Sequence, residues 1–132
     1  VDPAVLDREF AGAFATLDLI DSLPLRAVVP GHGSPFVDVK GALARARSRL
    51  DRLASDRSLN AWHVIKSLVK FRLLDERVLD LETLWTMVDT VPIIRFARRD
   101  LTQTREAIVA RVIDDFVRKR VATFQDNLLR NL

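Results

Sequence analysis

His32 lies in the run Pro30-Gly31-His32-Gly33-Ser34-Pro35, and its residue type makes it the best candidate for chemistry in this sequence. A neutral imidazole is a good ligand for zinc, iron or manganese. The flanking glycines let the backbone bend without a Cβ clash, so the ring can be held out from the end of the preceding segment. The chain has one other histidine, His63, and no cysteine. A resident metal ordinarily takes three or more protein ligands. Taken alone, the chain therefore carries an incomplete metal site centred on His32. It is expected to bind no metal tightly and to be catalytically inactive, with Asp38 the one nearby carboxylate that could join. No catalytic or substrate-binding residue stands out by pattern.

Three cationic groupings come next. His63, Lys66, Ser67 and Lys70 fall at helical spacing away from the apolar positions Trp62, Ile65 and Val69. They read as a solvated polar face, the alternative being contact with an anionic substrate. Arg45, Arg49 and Arg52 form a stripe, and Arg95, Arg98 and Arg99 a second cluster. Either could bind phosphate or nucleic acid. The preferred reading is a solvated face laced with i,i+4 pairs such as Arg47–Asp51 and Arg52–Asp56. No aromatic interleaving and no lysine-rich arm supports nucleic-acid binding.

These residues must be positioned by one domain or a piece of one, since the chain has 132 residues, 48% hydrophobic and 30% charged. That composition excludes disordered and collagen-like classes. No apolar run approaches the ~18 residues of a membrane span, and no signal-like stretch opens the chain. The lack of cysteine fits a cytoplasmic protein. The net charge is only +3 despite a pI near 9.9, and seventeen arginines stand against four lysines.

The expected elements are mainly helical, with one short strand near 25–30. Asp2 caps and Pro3 starts a first helix, whose stripe is Leu6, Phe10, Phe14, Leu17 and Ile20, and Pro24 ends it. Leu25 to Val29 reads as a buried strand, followed by the His32 loop. Asp38 caps a helix with Val39, Leu43, Ala46, Leu50 and Leu53 inward. Ser58 caps a second carrying Trp62, Ile65, Val69 and Leu73, and Asp80 a third carrying Leu81, Leu84, Trp85 and Val88. Leu74 to Leu79 reads as a glycine-free hinge, too long for a helix-turn-helix. Pro92 opens a short turn. Thr102 opens a last helix which, if continuous through Leu128, runs roughly 40 Å. Its face of Val112, Phe116, Val117, Val121 and Phe124 covers a wide arc, and whatever part of it other helices leave uncovered is expected to bury against a second subunit. A lone strand leaves its backbone groups unpaired, so other chain must complete the sheet.

The segment Ala27-Val28-Val29-Pro30-Gly31-His32-Gly33-Ser34-Pro35 resembles the metallo-β-lactamase-fold hydrolase superfamily, the glyoxalase-II-like enzymes in particular, where a late strand ends in a Pro-Gly-His-Gly loop. The resemblance extends to the helix before it, around Phe14-Ala15-Thr16-Leu17-Asp18, and to the helix after it, from Asp38 to Leu53. Lys70-Phe71-Arg72-Leu73-Leu74-Asp75 is similar to the helical tails of some bacterial members, and some tails are winged-helix-like. The resemblance covers roughly residues 10 to 90. It implies that residues 1–57 are the C-terminal helix–strand–loop–helix part of a four-layer αββα fold and 58–132 a C-terminal helical tail. It also implies that His32 ligates the second of two zinc ions in a complete parent. Such a centre lowers the pKa of bound water and attacks an ester, thioester or phosphodiester. The family's His-x-His-x-Asp-His motif is absent here, so the missing N-terminal part of the fold is the expected partner. Two other classes compete: an all-helical oligomerisation or interaction module without catalysis, built on the last helix and forming a homodimer, and nucleic-acid binding through the arginine-rich helices.

Overall fold

Asp38 and Asp80 each precede a helix, and each accepts a hydrogen bond from a first-turn amide, Gly41 N at 2.9 Å and Thr83 N at 2.7 Å. The computed structural model describes residues 3–132, with side chains from residue 6 onward; the Asp2 cap lies outside the described residues. The fold is mainly α, with six helices and a small three-stranded antiparallel sheet. The chain forms two compact units, Val1–Asp56 and Arg57–Leu132.

In the first unit, α1 (Pro3–Ser22) packs on α2 (Val39–Ser55). The stripe Leu6, Phe10, Phe14, Leu17 and Ile20 lies half-buried on α1. Arg47 of α2 pairs with Asp18 and Asp21 of α1, and Lys40 also pairs with Asp21. Arg47 thus reaches across to α1 rather than along its own helix to Asp51. Gly41 is required by the Asp38 cap, because a Cβ there would lie 2.2 Å from the Asp38 carboxylate. Among the described side chains of this unit only Val39 and Leu43 are buried.

The strand expected over Leu25 to Val29 is reduced to one antiparallel bridge, Val28 with Phe36. Its two bonds are Val28 N to Phe36 O, 2.9 Å, and Phe36 N to Val28 O, 3.0 Å. No second extended segment lies alongside among the described residues of the unit. A ladder cannot propagate without one. Of the apolar residues expected to be buried there, Leu25 and Val29 are exposed, Val29 at 80%, and Val28 is half-buried.

The second unit runs α3 (Arg57–Glu76), β1 (Val78–Asp80), α4 (Leu81–Thr90), α5 (Pro92–Ala97), a 3-10 turn (Arg98–Asp100), α6 (Arg105–Arg118), β2 (Ala122–Gln125) and β3 (Leu128–Asn131). The sheet order is β1-β3-β2, with Leu79 opposite Leu129 and Leu129 opposite Phe124. Ile65, Leu73, Leu79, Leu84, Ile94, Ile108 and Leu129 have essentially no exposed surface and form the core. Ser58 falls inside the first turn of α3, and Thr104, not Thr102, caps α6 through its bond from Ala107 N. The expected hinge at 74–79 is the end of α3 followed by β1, separated by Arg77 at φ 67°.

The largest departure is at the C-terminus, where a continuous last helix was expected and α6 stops at Arg118. Lys119 is the cap, Arg120 takes φ 55°, Arg120 N bonds Val117 O at 3.0 Å and Val121 N bonds Phe116 O at 2.8 Å. These are the two bonds of a Schellman stop, with apolar Val121 and Phe116 at its contact positions. Asp126 and Asn127 follow at φ 52° and 60°. Two successive left-handed residues make the two-residue turn that matches hairpin twist. The second unit is therefore not all-helical.

This reversal fixes the sign of a substitution. Arg120→Gly relieves the left-handed strain of a Cβ-bearing residue and is expected to leave stability unchanged or raise it by up to about 1 kcal/mol. In a continuous helix the same change would cost about 1 kcal/mol. Urea denaturation distinguishes the two, and Leu129→Ala in the same assay should lose about 2–5 kcal/mol.

Candidate functional site

His32 sits in the reversal between the bridged residues Val28 and Phe36, and its side chain is exposed. Gly33 has φ +96°, a backbone conformation that disfavours any side chain, so this glycine sets the bend. Gly31 does not adopt a positive φ. Asp38, the carboxylate nearest in sequence, is committed to capping α2 and to Arg45 at 3.1 Å. Among the described residues no group of three or more His, Asp, Glu or Cys could hold a metal. The residues present around His32 therefore do not fit a resident ion by themselves.

Three of the six arginines in the two groupings, Arg45, Arg98 and Arg99, have a described partner. Arg45 pairs with Asp38, and Arg98 pairs with Asp89 at 2.8 Å. Arg105 takes the other oxygen of Asp89 at 2.7 Å, so this carboxylate ties the end of α4 to the 3-10 turn and to the start of α6. The Arg105 hydrogen bond holds the Asp89 carboxyl below its usual range. Arg99 lies over the Phe96 ring, 5.8 Å from its centroid.

The wide apolar face expected on the last helix is mostly spent inside its own unit. Val112 and Phe116 are buried, and Val121 packs against the core. Val117 and Phe124 stay partly exposed, and with Leu81, Trp85, Ala110 and Ile113 they line an open groove of about 530 Å³. Phe124 belongs to β2 instead of to a helix.

A second depression of about 320 Å³ lies between α3 and the end of α6. His63, Lys66, Ser67, Lys70 and Phe71 line it from α3, and Asp115, Phe116, Lys119 and Val121 complete it. Asp115 is the one buried charged residue among those described. Its Oδ2 accepts from Lys66 Nζ at 3.1 Å and Lys119 Nζ at 2.9 Å, and its Oδ1 accepts from Arg118 at 3.1 Å. Lys70 Nζ donates to Asn131 Oδ1 at 2.6 Å. The polar residues of α3 were legible as one face, and that face lines this cleft. Lys119 and Asp115 were missed, because only the packing of α6 in the folded unit brings its end to α3.

Burial pushes the Asp115 carboxyl up, but hydrogen bonds from Lys119, Lys66 and Arg118 outweigh it and bring it down to about 2.

No family model matches this chain, and no curated protein or solved structure matches it. No described helix is long and apolar enough to cross a membrane.

The depressed Asp115 value carries a pH dependence. The folded value lies below the ordinary 3.8, so the contribution is present above about pH 4 and lost as pH falls toward 2. The difference is worth on the order of 2 kcal/mol. Stability measured against pH should show this loss, and Asp115→Asn should both lower stability at pH 7 and flatten the profile in that window.

Proposed function

We infer that residues 1–57 are the C-terminal part of a metallo-β-lactamase-fold domain, four-layered αββα, in a cytoplasmic metal-dependent hydrolase, and that residues 58–132 are its tail. One observation carries this reading. His32 is exposed at a reversal closed by the Val28–Phe36 bridge and bent at left-handed Gly33, with α1 before it and α2 after it in chain order. Exposed Leu25, Val29 and Val37 flank that bridge. An apolar edge with a single bonded pair is the kind of edge that a neighbouring strand of a larger sheet covers. His32 would then be one ligand of a two-zinc centre whose other ligands lie outside the described residues. The substrate class is a small ester, thioester or phosphodiester. No catalytic step is assigned to this chain's own residues.

The topology of the second unit supports the tail assignment. Its order of helix, strand, helices and C-terminal hairpin, with sheet order β1-β3-β2, is similar to that of a winged helix but carries an additional helix, α5, and a 3-10 turn between α4 and α6. Duplex reading through α6 is disfavoured on two grounds. The connection from α4 to α6 holds a whole helix and a 3-10 turn, where a helix-turn-helix uses three or four residues. The groove along α6 is lined by Glu106, Ala110, Asp114 and Val117, and acidic groups repel the phosphate backbone. That same groove is the surface for a homodimer reading, favoured by the exposure of Val117 and Phe124.

The reading frame immediately upstream of Val1 and the metal content of the protein it encodes test the main reading. A His-x-His-x-Asp-His run is expected there, and His32→Ala in that longer protein should lose about one of two metal equivalents by mass spectrometry. No such run, or an unchanged metal content in His32→Ala, would contradict it.

A further inference from the structure

The cleft between α3 and the end of α6 holds more positive charge than its carboxylate can neutralise. Lys66, Lys119 and Arg118 all converge on Asp115, and Arg118 also lies 3.6 Å from Asp114. Lys70, on the same cleft wall, is bonded to the neutral Asn131 amide. Among the groups that line the cleft, three lysines, Lys66, Lys70 and Lys119, thus face one carboxylate, Asp115, and the end of α6 adds only roughly half a negative charge. Each ammonium carries three donors, and the single bond described for each of Lys66, Lys70 and Lys119 leaves donors in excess. Ser67 adds a hydroxyl at the same wall.

The second feature is aromatic. Phe71 lines the cleft beside Lys70 and is 67% exposed. An exposed ring beside a cluster of ammonium groups offers a face to a flat, electron-rich partner attached to an anion. Base stacking on such a ring tolerates any base, while the lysines take the backbone charge.

We propose that this cleft binds a phosphorylated nucleoside unit, its phosphate held by Lys66, Lys70 and Lys119 and its base stacked on Phe71. The site stands on the second unit alone and does not depend on the hydrolase reading. The phosphate adds to the Lys66 and Lys119 ammonium groups without displacing Asp115, whose pairing builds the cleft. The ligand could come as a free nucleotide or as a unit of single-stranded nucleic acid, since the two present the same chemistry here.

Isothermal titration calorimetry of the full chain with inorganic phosphate, a nucleoside monophosphate and a short single-stranded oligonucleotide tests this. The nucleotide should bind at least about fivefold more tightly than phosphate, and Phe71→Ala should abolish that advantage while leaving phosphate binding unchanged. Lys70→Gln, which leaves the Asp115 cluster intact, should weaken all three ligands and reduce the salt dependence of oligonucleotide binding by about one phosphate contact. An oligonucleotide that binds per site no better than the mononucleotide marks the free nucleotide as the source, and a tighter oligonucleotide marks the strand; both support the site. Equal affinity for phosphate and nucleotide, or no effect of either substitution, overturns it. Should Lys70→Gln lose its fold by circular dichroism, the exposed Phe71→Ala still decides the outcome.

Discussion

A carboxylate removed from water must be paired, because an uncompensated buried charge costs several kcal/mol. Asp115 meets that constraint with donors from two helices, Lys66 from α3 and Arg118 and Lys119 from the end of α6. The pairing joins α3 to α6 at the point where the chain reverses. Immediately beyond it, the left-handed Arg120 and the Val121-to-Phe116 bond turn the chain into β2. The hairpin then places Leu129 in the core between β1 and β2. The same pairing gathers cations at one edge of the unit, so the electrostatics of the α3–α6 cleft follow from a structural requirement.

The first unit is organised differently. It buries few side chains, and its two helices are tied by surface pairs of Asp18 and Asp21 with Arg47 and Lys40. Exposed ion pairs of this kind contribute little individually. What the unit does define is a reversal: two backbone bonds at Val28 and Phe36, a left-handed glycine at 33, and an exposed imidazole between them. Leu25, Val29 and Val37 of this segment remain exposed, at an edge with no ladder. A metal centre at His32 requires ligands beyond the described residues, which is why the hydrolase reading is a proposal about a larger assembly of chain.

Local rules read well where a single interaction decides the local structure. Asp38 and Asp80 were legible as caps because a short carboxylate before an apolar-periodic run has few other uses, and α1's stripe was legible from spacing alone. The C-terminal hairpin was not, because Val117, Val121, Phe124 and Leu128 also satisfy helical spacing. The turn residues Asp126-Asn127 carried a hairpin signal, but the helical period of the neighbouring apolar residues concealed it. The strand at 25–29 shows the converse error. β-branched residues give a segment the tendency to extend, yet a strand exists only where a partner supplies bonds. The cleft needed tertiary structure: its α3 lysines share a visible face, but Asp115 and Lys119 lie some fifty residues away in sequence and reach it only through the packing of α6 on the rest of the unit.

A carbon-detected NMR titration of the Asp115 side-chain carboxyl addresses the central pairing directly. If Lys66, Lys119 and Arg118 hold the carboxylate as described, its midpoint falls at about 2. A midpoint at the ordinary 3.8 or above would mean that the three donors do not converge on it, and the account of the cleft and of the α3–α6 join would not stand.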